Sequence, residues 1–208
     1  MRVRLALGLG VLGLGMLGLG MLGPACVTSA QPRPAERSSP RTQSMDERVR
    51  ALLSGIEDAP SRAEMLALGM PGFEALVRLE ANAAEPGALR LRAITCAGWF
   101  HGERPRAYLR GLLASATEPL RLRAAIRAYG ANLESTELAS PDPLLEPITR
   151  HARHEDPAVR EAVYLTLVAV RAQAPASARA AITSSLETLL ASETDAELVQ
   201  ATRARMSS

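Results

Sequence analysis

Five residues, Leu89-Arg90-Leu91-Arg92-Ala93, return unchanged as Leu120-Arg121-Leu122-Arg123-Ala124, 31 residues further along the chain. Each copy is introduced by Glu-Pro, at Glu85-Pro86 and Glu118-Pro119. A third copy is looser, Asp156-Pro157-Ala158-Val159-Arg160-Glu161-Ala162-Val163, and a fourth weaker still, Asp195-Ala196-Glu197-Leu198-Val199-Gln200-Ala201. Aligning Leu91, Leu122, Val159 and Leu198 gives steps of 31, 37 and 39 residues. Self-similarity at such a period restricts the fold to stacked copies of one supersecondary unit.

The unit is helical. Val49, Leu52, Leu53 and Ile56 fall at i, i+3, i+4 and i+7, one stripe of an amphipathic helix. Ser44-Met45-Asp46-Glu47 and Ser61-Arg62-Ala63-Glu64 have the spacing of capping boxes, and Thr194-Asp195-Ala196-Glu197 repeats it. Pro86, Pro119 and Pro157 each follow an acidic residue and precede an apolar run, as Pro does at the first helical position. No alternation of period two lasts long enough to propose a strand. Each repeated segment opens a second helix, preceded by a first helix carried by Phe73, Leu76 and Val77; by Tyr108, Leu109, Leu112 and Leu113; by Leu144, Leu145 and Ile148; and by Ile182, Leu186, Leu189 and Leu190. One such hairpin cannot bury its own apolar face, whereas stacked hairpins share a continuous core.

Asp156-Pro157-Ala158-Val159-Arg160 and Leu122-Arg123-Ala124-Ala125-Ile126-Arg127-Ala128 resemble HEAT-type (armadillo-like) repeats. In that family an Asp-Pro turn leads into a second helix that opens with an aliphatic residue followed by Arg. The resemblance covers about residues 70–206 and leaves 44–68 as a short, degenerate first hairpin. It implies an all-α fold: a short α-solenoid of about four to five helical hairpins over residues 44–206. It also implies that the arginine at the Arg92 position, shared by Arg123 and Arg160, pairs with turn acids and stitches repeats together.

The front of the chain reads differently. Met1-Arg2-Val3-Arg4 is basic, and Leu5 to Gly23 then runs without a charge, as a secretory signal does. Its seven glycines, each costing about 1 kcal/mol of helix propensity relative to Ala, make it a poor retained membrane anchor. Two cut sites stand open. Leu22-Gly23-Pro24-Ala25-Cys26 resembles a bacterial lipobox, in which Cys26 is lipidated, although the Leu sits one position too early. Thr28-Ser29-Ala30 suits an ordinary signal peptidase. The expected organisation is therefore an export signal over 1–26, of simple or lipoprotein type, a flexible spacer over 27–43, and the helical domain. The spacer is rich in Ser, Pro, Gln and Arg and cannot offset its ordering entropy by burial. The expected location is extracytoplasmic, in a bacterial periplasm or held to a membrane through Cys26.

Charge singles out candidate contacts. The chain has no Lys, and Arg2 and Arg4 account for its whole net charge of +2, so the exported body carries 22 Arg against 22 acids. Residues 88–130 hold eight Arg against Glu103 and Glu118. Arg90, Arg121 and Arg127 are the binding candidates there, because guanidinium forks suit carboxylate or phosphate. A plain solvated helix face is the other explanation. Trp99, beside Arg104 and Arg106, is a contact anchor if exposed and core filler if buried. His151 and His154 have acids adjacent but lie in a turn, where polar residues are ordinary, and no metal site is assigned. Cys96, in an apolar stretch, reads as a small buried hydrophobe.

These features predict an exported, envelope-associated scaffold that binds another protein or an anionic envelope component, with no catalysis and no cofactor. No Gly-rich phosphate loop, His-Glu-x-x-His or nucleophile elbow is present. Two rivals remain: a HEAT-like enzyme or accessory protein, resembling lyase-associated proteins or DNA glycosylases, and a purely structural lipoprotein spacer. Balanced charge and 3% aromatics argue against nucleic acid. A spacer predicts arginines paired with acids and no exposed patch.

Overall fold

A computed structural model describes residues 43–55, 60–133, 138 and 141–207. The proposed export signal, Cys26 and the spacer up to residue 42 lie outside the described residues. All regular structure among the described residues is helical: α1 Met45–Ser54, α2 Arg62–Leu66, α3 Gly69–Ala81, α4 Gly87–Ala97, α5 Glu103–Ser115, α6 Pro119–Asn132, α7 Asp142–Thr149, α8 Pro157–Gln173, α9 Ala176–Leu190 and α10 Ala196–Ser207. None of these helices is long and apolar enough to cross a membrane.

The helices start where local chemistry lets them. Ser44 and Ser61 form both halves of a capping box with Glu47 and Glu64, satisfying amides the first turn leaves unpaired. Pro119 and Pro157 occupy the first helical position of α6 and α8, where a missing N–H costs nothing. Pro86 stands one residue earlier, as the N-cap of α4. At α10 the expected box from Thr194 to Glu197 gives way to another arrangement. Asp195 Oδ1 accepts from the Leu198 amide at 3.0 Å, while Glu193 Oε1 accepts from the amides of Thr194 and Asp195. The cap has moved one residue on because Glu193 already holds the preceding amides.

Helices close in sequence pack on one another. The segments read as first helices are α3, α5, α7 and α9, and those read as second helices are α4, α6, α8 and α10. Within pairs, α3 packs on α4, α5 on α6 and α7 on α8. Between pairs, α4 packs on α6, α6 on α8 and α8 on α10, while α5 packs on α7. The last pair differs in that α9 and α10 both pack on α8. The N-terminal unit is α1, which packs on α3 and α4, followed by the single-turn α2.

One core runs through these contacts. Leu53, Leu76, Ile94, Leu109, Ile126 and Leu167 are fully buried or nearly so. Burying side chains of this size contributes about 1.5–3 kcal/mol each relative to exposure. Two glycines set how closely the second helices approach. A Cβ on Gly98, just past the end of α4, would lie 2.4 Å from the Ala128 carbonyl oxygen on α6. A Cβ on Gly130, in α6, would lie 2.2 Å from Thr166 Cγ2 on α8.

Candidate functional site

Arg90 and Arg121, the matching arginines of the repeated pentapeptide, reach the same residue. Arg121, in the first turn of α6, donates from Nε at 2.7 Å to Oε1 of Glu80, at the end of α3, and its Nη2 stands 2.6 Å from the same oxygen. Arg90, in the first turn of α4, donates from Nε at 2.7 Å to the Glu80 carbonyl, and its Nη2 stands 3.9 Å from Oε1. Tyr108 of α5 donates to Oε2 at 3.1 Å. The Glu80 side chain is only 3% exposed, whereas Arg90 and Arg121 keep 30% and 29% of theirs open to solvent. Burial, reinforced by Glu80, pushes the Tyr108 phenol well above its ordinary pKa, so it remains a donor.

The two guanidiniums border a groove of about 330 Å³ between the starts of α4 and α6. Leu91 and Leu120 give it an apolar lining, and Leu120 is 53% exposed. Gly87 and Ala88 of α4 line it too, and neither α4 nor α6 has a side-chain cap. Both positive helix ends therefore face this region. Glu118 borders it from the solvent side.

The remaining candidates disperse. Arg127 is exposed, two turns along α6, and lines a separate hollow of about 250 Å³ with Gly130, Leu165 and Thr166. Arg104 pairs with Glu74 of α3 at 2.7 Å and borders a depression between α3 and α5. Trp99 is half-buried in the turn after α4 and packs on the core. Arg106 requires a correction. It is 7% exposed, and its Nε donates at 3.2 Å to Oδ1 of Asn132, itself fully buried. Asn132 also donates through Nδ2 to the Phe100 carbonyl, and its own carbonyl meets His101 Nδ1 at 3.0 Å. Arg106 thus locks the α4–α5 turn to the end of α6 instead of facing a partner. Asn132, central to that lock, carries no sequence signal of its own.

The Arg92 row is structural with mixed acceptors. Arg160 binds Glu193 in the α9–α10 turn at 3.0 Å, and also the His154 and Glu155 carbonyls. Arg92 instead donates to the carbonyls of Leu53 and Gly55 at 2.6 and 2.8 Å, capping the end of α1. Arg123 leaves Nε buried without a hydrogen-bond partner among the described residues. The histidines lie in the α7–α8 turn: His154 Nδ1 accepts the Asp156 amide, and burial with Arg150 nearby holds His151 below its ordinary pKa. No cluster of metal-ligating side chains occurs among the described residues. Cys96 is buried, and burial pushes its thiol up to about 12.

Comparison with family models, curated proteins and solved structures finds no match to this chain.

Proposed function

We propose that this chain is an exported, envelope-associated helical-repeat protein of HEAT type that acts as a non-catalytic scaffold for another protein. The observation that carries the reading is the succession of α4, α6, α8 and α10, each packed on the next, with the repeated arginines of α4 and α6 brought to one groove. Stacked units of this kind expose long surfaces suited to macromolecular contact. Export and attachment rest on the charge-free stretch before Cys26. The absence of catalysis rests on the lack of any nucleophile, phosphate-loop or metal-ligand motif in the sequence.

A structural spacer is the second reading, and one observation favours it. Arg50–Glu85, Arg78–Asp46, Arg104–Glu74 and Arg160–Glu193 all pair a guanidinium with an acid. The groove between α4 and α6 departs from that pattern, since two arginines share one carboxylate beside an exposed leucine.

The test combines attachment and contact. Radiolabelled fatty acid incorporation that disappears in Cys26→Ser, with the protein in the envelope fraction, supports export and anchoring. A photo-crosslinker placed at Leu120 should capture a discrete protein in intact cells. A cytoplasmic location, or no crosslink at Leu120 or along α8, overturns the scaffold reading.

A further inference from the structure

We infer that the groove between α4 and α6 binds an acidic segment of a partner protein, in which an Asp or Glu carboxylate lies beside an aliphatic side chain. This rests on the scaffold reading and names the chemistry of its partner.

Charge counting comes first. Two guanidiniums converge on one buried carboxylate, which leaves a single positive charge in a region about 70% withdrawn from solvent. Glu118, the other acid at the groove, is exposed, where water screens it. A monoanion therefore balances the site.

Donor geometry comes next. Arg121 directs Nε and Nη2 to Glu80, and Arg90 directs Nε to the Glu80 carbonyl. Arg90 Nη1 and Nη2 and Arg121 Nη1 make no hydrogen bond among the described residues. Glu80 and Tyr108 hold the two forks in place, so little side-chain entropy remains to be lost on binding. Leu91 and the exposed Leu120 supply an apolar surface next to the charge. A volume of about 330 Å³ is at the small end for ligand sites, which suits one charged side chain and its neighbour. The uncapped starts of α4 and α6 add a field of the same sign.

The test probes the full chain with an array of amidated octapeptides that vary Asp/Glu against Asn/Gln, each with and without an adjacent Leu. Wild type should retain acidic, Leu-flanked peptides at least tenfold over their amide counterparts. Ala88→Glu places a competing carboxylate at the mouth, and Leu120→Asp removes the apolar lip. Both positions are exposed in first turns, where acids favour the helix, so unchanged melting curves are expected together with loss of binding. Glu118→Gln should strengthen binding two- to threefold. Equal retention of the amide peptides, or binding unaffected by Ala88→Glu, overturns the inference. So does Ala88-sensitive binding confined to phosphatidylglycerol vesicles or to free C-terminal carboxylates. A protein captured in cells whose crosslinking survives Ala88→Glu leaves the scaffold standing and overturns this site alone.

Discussion

Arg121 and Glu80 are joined by a hydrogen bond from Nε and an ion-pair contact from Nη2, both to one carboxylate oxygen, across 41 residues of sequence. The pair ties the end of α3 to the beginning of α6. The two partners are unequal: Glu80 is sealed in, while Arg121 retains a path to water.

That inequality sets an order of stabilities. Arg121→Met leaves a buried carboxylate supported by Tyr108 and a more distant Arg90, and should cost about 2–4 kcal/mol. Glu80→Leu removes the buried charge and lets both arginines hydrate, and should cost less. Urea unfolding of both variants and of the double variant checks this. A Glu80→Leu variant less stable than Arg121→Met contradicts it.

Helix approach gives a second expectation. The Cβ of Gly98→Ala would strike the Ala128 backbone, which cannot rotate away, so about 1–3 kcal/mol should be lost through displacement of α6. Gly130→Ala meets a threonine methyl, which a rotamer change relieves in part. Thermal melts should place Gly98→Ala below Gly130→Ala.

Acid sensitivity should trace to Glu193. Burial works to raise its pKa, but the Asp195 and Thr194 amides and Arg160 outweigh burial and hold it below the ordinary glutamate value of 4.5. A depressed folded pKa means the unfolded state takes up the proton first. This stabilisation is complete above the unfolded pKa and fades as pH falls through the folded one. Glu193→Gln should lose about 1.5–3 kcal/mol near neutrality and show a shallower decline in acid. Urea midpoints followed from neutral pH into acid measure both.

The buried thiol should be silent. In a Cys26→Ser background, Cys96 should resist maleimide at mildly alkaline pH while the protein is folded and react fully in urea, because burial suppresses both access and thiolate. Labelling at the rate of a free thiol in native buffer contradicts this.

Asn132→Ala should cost about 2–3 kcal/mol. It removes the acceptor for Arg106 and the donor to Phe100 within a buried network. Hydrogen exchange should then rise in the α4–α5 turn before it rises in α8.

Helix positions and starts were legible in the sequence because they depend on residues within about four positions of one another. Ser44 with Glu47, Ser61 with Glu64, and Pro119 and Pro157 at first positions are local chemistry, and the stripe residues of each first helix lie inside α3, α5, α7 and α9. The shift of the α10 cap to Asp195 shows the limit, since Glu193, which holds the Thr194 and Asp195 amides, is itself bound by the distant Arg160. What each arginine does was not legible. Arg90, Arg92, Arg104, Arg106 and Arg121 are alike in composition and neighbourhood, yet one caps α1, one is buried on Asn132, one pairs at the surface and two share Glu80. Those fates turn on which carbonyl or carboxylate arrives within about 3 Å. Only the packing of helices, through contacts that span 10 to 41 residues, decides that.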